Sequence, residues 1–102
     1  MTVPSIKLKV GKFTKFIPPK SIVYIKADNN YSMFFLEDGK TIYTSKTLKY
    51  WIDKIEEISW LRVHRSLAIN DINIDYVHRS SKSIILSNGE SLMGSRRFLK
   101  GI

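Results

Sequence analysis

Turn-forming residues cut this chain into pieces too short for long helices. Gly11, Pro18-Pro19, Asp28-Asn29-Asn30, Asp38-Gly39, Asn88-Gly89 and Gly94-Ser95 punctuate it, and the segments between them are rich in β-branched and aromatic residues. Glycine accepts positive φ, Asn and Asp tolerate it, and proline cannot donate to a strand ladder, so each cluster ends one strand and starts another. Ile6-Lys7-Leu8-Lys9-Val10 alternates apolar and basic side chains, the period of a half-buried strand. Strands are expected over Lys12 to Ile17, Ile22 to Ala27, Tyr31 to Leu36 and Lys40 to Thr44. Trp60 to His64, Ile74 to His78, Ser83 to Ser87 and Glu90 to Met93 complete the set. Asn88-Gly89 is the strongest two-residue hairpin turn.

The period changes once. Leu48, Trp51, Ile52 and Ile55 fall at i, i+3, i+4 and i+7, one stripe of a helix that Ser45 or Thr47 caps and that ends near Glu57. The stretch after His64 reads as a loop through Asp71. Phe98, Leu99 and Ile102 give the apolar side of a short closing helix. The expected fold is mainly β: small antiparallel sheets, sandwich-like or barrel-like, with one short central helix and a short C-terminal helix. With 102 residues, no internal repeat and no linker, residues 1–102 are expected to form a single domain.

Charge narrows the function. Seventeen Lys and Arg against nine Asp and Glu give a net +8, which calls for a polyanionic partner. No apolar run approaches the roughly 18 to 20 residues of a membrane span, and the lysines at 7, 9, 12, 15 and 20 occupy the place of a signal peptide's apolar centre. The absence of cysteine removes disulfides, thiolate zinc sites and thiol catalysis, and fits a reducing, cytoplasmic setting. His64 and His78 show no metal-ligand spacing, and Ser66 lacks the glycine elbow of a nucleophile. No enzyme activity, metal or cofactor is therefore expected.

All five arginines (62, 65, 79, 96 and 97) lie in the C-terminal half, whereas lysines dominate the N-terminal half. Arginine's flat fork can engage guanine O6 and N7 together, while lysine acts as a point charge suited to phosphate. Asn29 or Asn30 must serve the turn, leaving the other, taken as Asn30, free to meet a base or phosphate. Tyr24, Tyr31, Phe34, Phe35 and Tyr43 alternate within strands and are expected in the core; the rival reading makes them a stacking face for single-stranded nucleic acid. A third reading is a protein-interaction module that pairs with a separate receiver.

Arg62-Val63-His64-Arg65-Ser66-Leu67-Ala68-Ile69-Asn70, then Ser87-Asn88-Gly89 and Ser95-Arg96-Arg97, resemble the LytTR family of bacterial DNA-binding domains. Ile22 to Ala27 with Asn30-Tyr31, Leu36 to Lys40 with Asp38-Gly39, and the Leu48 helix appear in the family's order, extending the resemblance over about residues 21–102. It implies an elongated domain whose edge loops enter successive major grooves of duplex DNA as part of a transcription regulator, without catalysis. By position it offers Asn30, Arg65 and Arg96 as contacts, with Arg97 beside them. His64 and Asn70 match the motif as well and are assigned first to loop architecture, with DNA contact second. Such domains usually follow a response-regulator receiver; none is expected in this chain. A homodimer on repeated half-sites is an allowed arrangement.

Overall fold

The computed structural model describes residues 5–100. It is built of ten strands in three antiparallel sheets and two short helices, and its extents of 44 × 32 × 22 Å make it elongated. Strands β1 (Ile6–Val10) and β2 (Phe13–Ile17) form a hairpin around Gly11. Strands β3 (Ile22–Asp28), β4 (Tyr31–Leu36), β5 (Thr41–Thr44), β6 (Trp60–His64) and β7 (Leu67–Asn70) make a five-stranded sheet in the order β5-β4-β3-β7-β6. Strands β8 (Ile74–His78), β9 (Ser83–Leu86) and β10 (Ser91–Met93) form the third sheet. Helix α1 spans Leu48–Lys54 and α2 spans Arg96–Leu99.

The five-stranded sheet carries apolar side chains on both faces. One cluster joins Ile22, Ile25, Phe34, Ile42 and Ala68 to Ile6, Leu8 and Ile17 of the hairpin and to Leu48, Trp51, Ile55 and Ile58. The other joins Val23, Tyr24, Val63, Leu67 and Ile69 to Ile84 and Leu86, with Leu92 and Leu99 packed against them. Four consecutive residues of β3 serve both faces because the register shifts between Ile22 and Tyr24. The irregularity turns Val23 and Tyr24 to one side and leaves Ile22 and Ile25 on the other, where strict alternation would not.

Two sequence expectations need correction. Leu67–Asn70, read as loop, is β7, the strand between β3 and β6. All four residues are buried, so the strand shows no alternation of apolar and polar positions. Helix α1 stops at Lys54 and not near Glu57. Ile55 leaves helical geometry (φ −93°, ψ 88°), which buries Ile55 and Ile58 and leaves Glu56 and Glu57 in solvent. Its N-cap is Thr47, whose side chain accepts a hydrogen bond from the Tyr50 N–H. The hairpin turns behave as expected: Gly39 and Gly89 have φ of +87° and +90°, and Asp38 Oδ1 and Asn88 Oδ1 accept from the backbone N–H two residues on. Phe98 and Leu99 lie in α2; Ile102 falls outside the described residues.

Candidate nucleic-acid interface

Strand direction decides where the loops go. β3 runs toward Asp28 and pairs antiparallel with β7, Lys26 opposite Leu67. The β3–β4 turn, holding Asn29-Asn30, and the β6–β7 turn, holding Arg65-Ser66, therefore leave the sheet at the same end. The Ala27 N–H donates to the Ser66 carbonyl at 2.8 Å and fastens the two together. Their centres are two strand spacings apart, about 10 Å. The β5–α1 link arrives at that end too, since Ser32 pairs with Thr44 and its hydroxyl donates to the Lys46 carbonyl.

The third sheet extends this rim. The Ser95 N–H donates to the Val63 carbonyl at 2.7 Å, placing the start of α2 beside the β6–β7 turn. The Gly94 N–H donates to the Lys82 carbonyl, which brings up the β8–β9 turn. A groove there is lined by Arg79, Lys82, Arg96, Arg97, Leu99 and Lys100. A second groove, between the sheets, runs past Tyr24, Lys26, His64, Ser66, Met93 and Ser95.

Electrostatically the rim is lopsided. It carries Lys26, Lys46, Arg65, Arg79, Lys82, Arg96, Arg97 and Lys100, against the lone acid Asp28. Among the described residues the one ion pair is Lys49 with Asp53 on α1, so no internal acid neutralises the rim. The far end of the five-stranded sheet holds Glu37 and Asp38 in the β4–β5 turn, Glu56 and Glu57 before β6, and Asp71 after β7, with Lys20, Lys40 and Lys54 among them. The rim end of the five-stranded sheet is therefore net positive and its far end net negative, while Lys7, Lys9, Lys12 and Lys15 belong to the β1–β2 hairpin.

The residues singled out from sequence separate cleanly. Asn29 takes the left-handed conformation (φ +56°) that the turn requires, and Asn30 stands exposed beside it. Arg65, Arg96 and Arg97 are exposed on the same rim. Ser95 caps α2 by accepting from the Phe98 N–H. His64 is half-buried and its Nδ1 accepts from the Ser66 N–H, an interaction that shapes the β6–β7 turn. Asn70 lies 2% exposed in the core, donating from Nδ2 to the Ile22 carbonyl at 3.0 Å, at the end of β7 away from Arg65. Of the five aromatics expected in the core, Tyr24 and Phe34 are buried and Phe35 stacks on Tyr24 at 4.4 Å, which leaves these three off any stacking face; Tyr31 and Tyr43 depart from that expectation and stand exposed on β4 and β5. Tyr24 also donates from its hydroxyl to Glu90 Oε2 at 2.7 Å; burial, then that carboxylate, push its phenol well above the ordinary value near 10. Sequence reasoning missed Lys46 and Lys82, which only strand pairing brings to the rim.

No helix among the described residues is long and apolar enough to cross a membrane. Nor do they contain a group of three or more His, Cys, Asp or Glu side chains able to hold a metal ion. Comparison with known proteins gives a match of residues 12–102 to the family model of the LytTr DNA-binding domain. Among solved structures, the fold is similar to the LytTr DNA-binding domain of a Bacillus cereus protein described as a methyl-accepting/DNA response regulator. That likeness has a TM-score of 0.78 and 20% identity, and covers 94% of this chain and 90% of the other. The curated proteins contain no match.

Proposed function

The chain belongs to the LytTr family of DNA-binding domains, and from that premise we propose that residues 1–102 act as one domain that recognises a specific duplex sequence. In this reading the protein is a cytoplasmic transcription regulator without catalytic chemistry. Arg65 and Arg96 read base edges in the major groove, Asn30 reads an adenine edge or holds a phosphate, and Arg97 with the rim lysines binds phosphates. His64 shapes the turn from which Arg65 projects, Asn70 ties the opposite end of β7 to the start of β3, and neither touches DNA. The longest dimension, 44 Å, exceeds one duplex turn of about 34 Å, length enough to reach more than one groove. A homodimer on repeated half-sites is compatible with this arrangement, because the rim occupies one side and leaves the rest of the surface free.

The observation that carries the proposal is the gathering of unpaired arginines and lysines from four separate turns onto one rim. The test is selection from a random duplex pool at near-physiological salt. Enrichment of one sequence, lost at single and different base positions in Arg65→Ala and Arg96→Ala, is the expected result. Failure to enrich any sequence, or preference for unpaired strands over duplex competitor, overturns it.

A further inference from the structure

We propose that Arg62 is a positioning residue: it fixes the Arg65 turn against helix α2 and so sets the relation between the two arginine-bearing reading elements without contacting DNA. The proposal rests on the duplex-recognition reading above and identifies the part that holds its geometry.

Arg62 is half-buried on β6, where the register shifts between Arg62 and His64. Its guanidinium reaches along that irregularity: Nη2 donates to the Arg65 carbonyl at 2.6 Å and Nε to the His64 carbonyl at 3.3 Å. Both acceptors belong to the turn that carries Arg65. The same guanidinium stands 5.7 Å from the ring centroid of Phe98, and Arg97 stands 5.9 Å from it, so the ring is contacted by two cations. Phe98 belongs to α2, the one-turn helix that begins at Arg96.

A helix of four residues cannot hold its own shape, because nucleation costs more than so few hydrogen bonds return. Its orientation depends on what it packs against. Leu99 packs on the cluster that contains Val63 and Leu67, the Ser95 N–H bonds the Val63 carbonyl, and Arg62 adds a side chain that reaches both the turn's carbonyls and the Phe98 ring of α2. The task demands a fork. Lysine keeps the charge but cannot bond two carbonyls in fixed directions while lying against a ring.

The test compares Arg62→Lys, Arg62→Ala and Phe98→Leu with the parent protein, each first checked for unchanged circular dichroism. Binding is measured across a salt series on the duplex the parent selects and on an unrelated duplex. Arg62→Lys and Arg62→Ala are expected to lose about 10-fold on the selected duplex, the size of an ordinary coupling between neighbouring groups. On the unrelated duplex they lose less than about 2-fold, and the slope of log K against log salt stays that of the parent, because no phosphate contact is gone. Phe98→Leu loses affinity in the same selective way. A slope smaller by about 0.9 makes Arg62 a phosphate ligand and overturns the proposal. So does an Arg62→Lys protein indistinguishable from the parent. If Arg62→Ala does not fold, Arg62→Lys and Phe98→Leu decide. A parent that selects no sequence refutes the duplex-recognition reading itself, a result visible before any variant is examined.

Discussion

The charge asymmetry makes a quantitative prediction about salt. Setting aside Arg65 and Arg96 for bases, the rim offers Lys26, Lys46, Arg79, Lys82, Arg97 and Lys100 to phosphates. Six neutralised phosphates give a log–log slope of about −5.4, so a fourfold rise in salt from about 50 to about 200 mM weakens binding roughly 2,000-fold. Lys46 and Arg79 are exposed on opposite flanks of the Arg65 turn. Replacing both by Gln removes two contacts, the slope becomes about −3.6, and the same salt step costs only roughly 150-fold. Lys20→Gln with Lys40→Gln removes the same net charge from the far end of the sheet and is expected to leave the slope at its parent value. The assay is fluorescence anisotropy of a labelled duplex over a salt series. Equal slope changes in the two double variants would refute the reasoning, since binding would then follow net charge and not the placement of charge.

Other predictions concern single residues. Arg65→Ala and Arg96→Ala should each cost about 1 to 3 kcal/mol on the selected duplex and relax preference at one base position, read by competition with point-substituted duplexes. Asn70→Ala leaves the Ile22 carbonyl without its donor and should lower stability by about 1 to 3 kcal/mol in urea, with the Kd of the folded protein unchanged. Gly94→Ala would place a Cβ 2.6 Å from Leu99 Cδ1, pushing on α2; a loss of about 1 to 3 kcal/mol in stability together with weaker DNA binding is expected. Tyr24 holds its proton more tightly when folded than when unfolded, so above the ordinary phenol value near 10 the folded state binds more protons and stability falls as pH rises. Tyr24→Phe should flatten that alkaline decline in a thermal-melt series, and an unchanged decline would assign it to other groups.

The sequence made the edges of this fold legible and its middle obscure. Hairpin turns such as Asp38-Gly39 and Asn88-Gly89 announce themselves because the backbone conformation itself restricts the residue, independent of anything distant. β7 is hidden for the opposite reason. Leu67, Ala68, Ile69 and Asn70 are covered on both faces by elements far away in sequence, so no local alternation survives. The same division runs through the site. Arg65, Arg96 and Asn30 stand out by chemistry and by their place in turns, whereas Asn70 entered only through the family motif, as an architectural residue first, and its amide is taken up by the Ile22 carbonyl in the core. Lys46 sits in a helix-cap segment and Lys82 in a polar turn; nothing nearby in sequence distinguishes them, and only the β4–β5 and β9–β10 pairings bring them to the rim.

A sheet that is net positive at one end and net negative at the other feels a torque near a polyanion before any contact forms. Approaching acidic end first, it is turned about; approaching rim first, it is drawn in. On the proposed reading, encounters that begin badly aimed are thereby rescued, and the chain would start its travel along a duplex with Arg65 and Arg96 facing the grooves assigned to them.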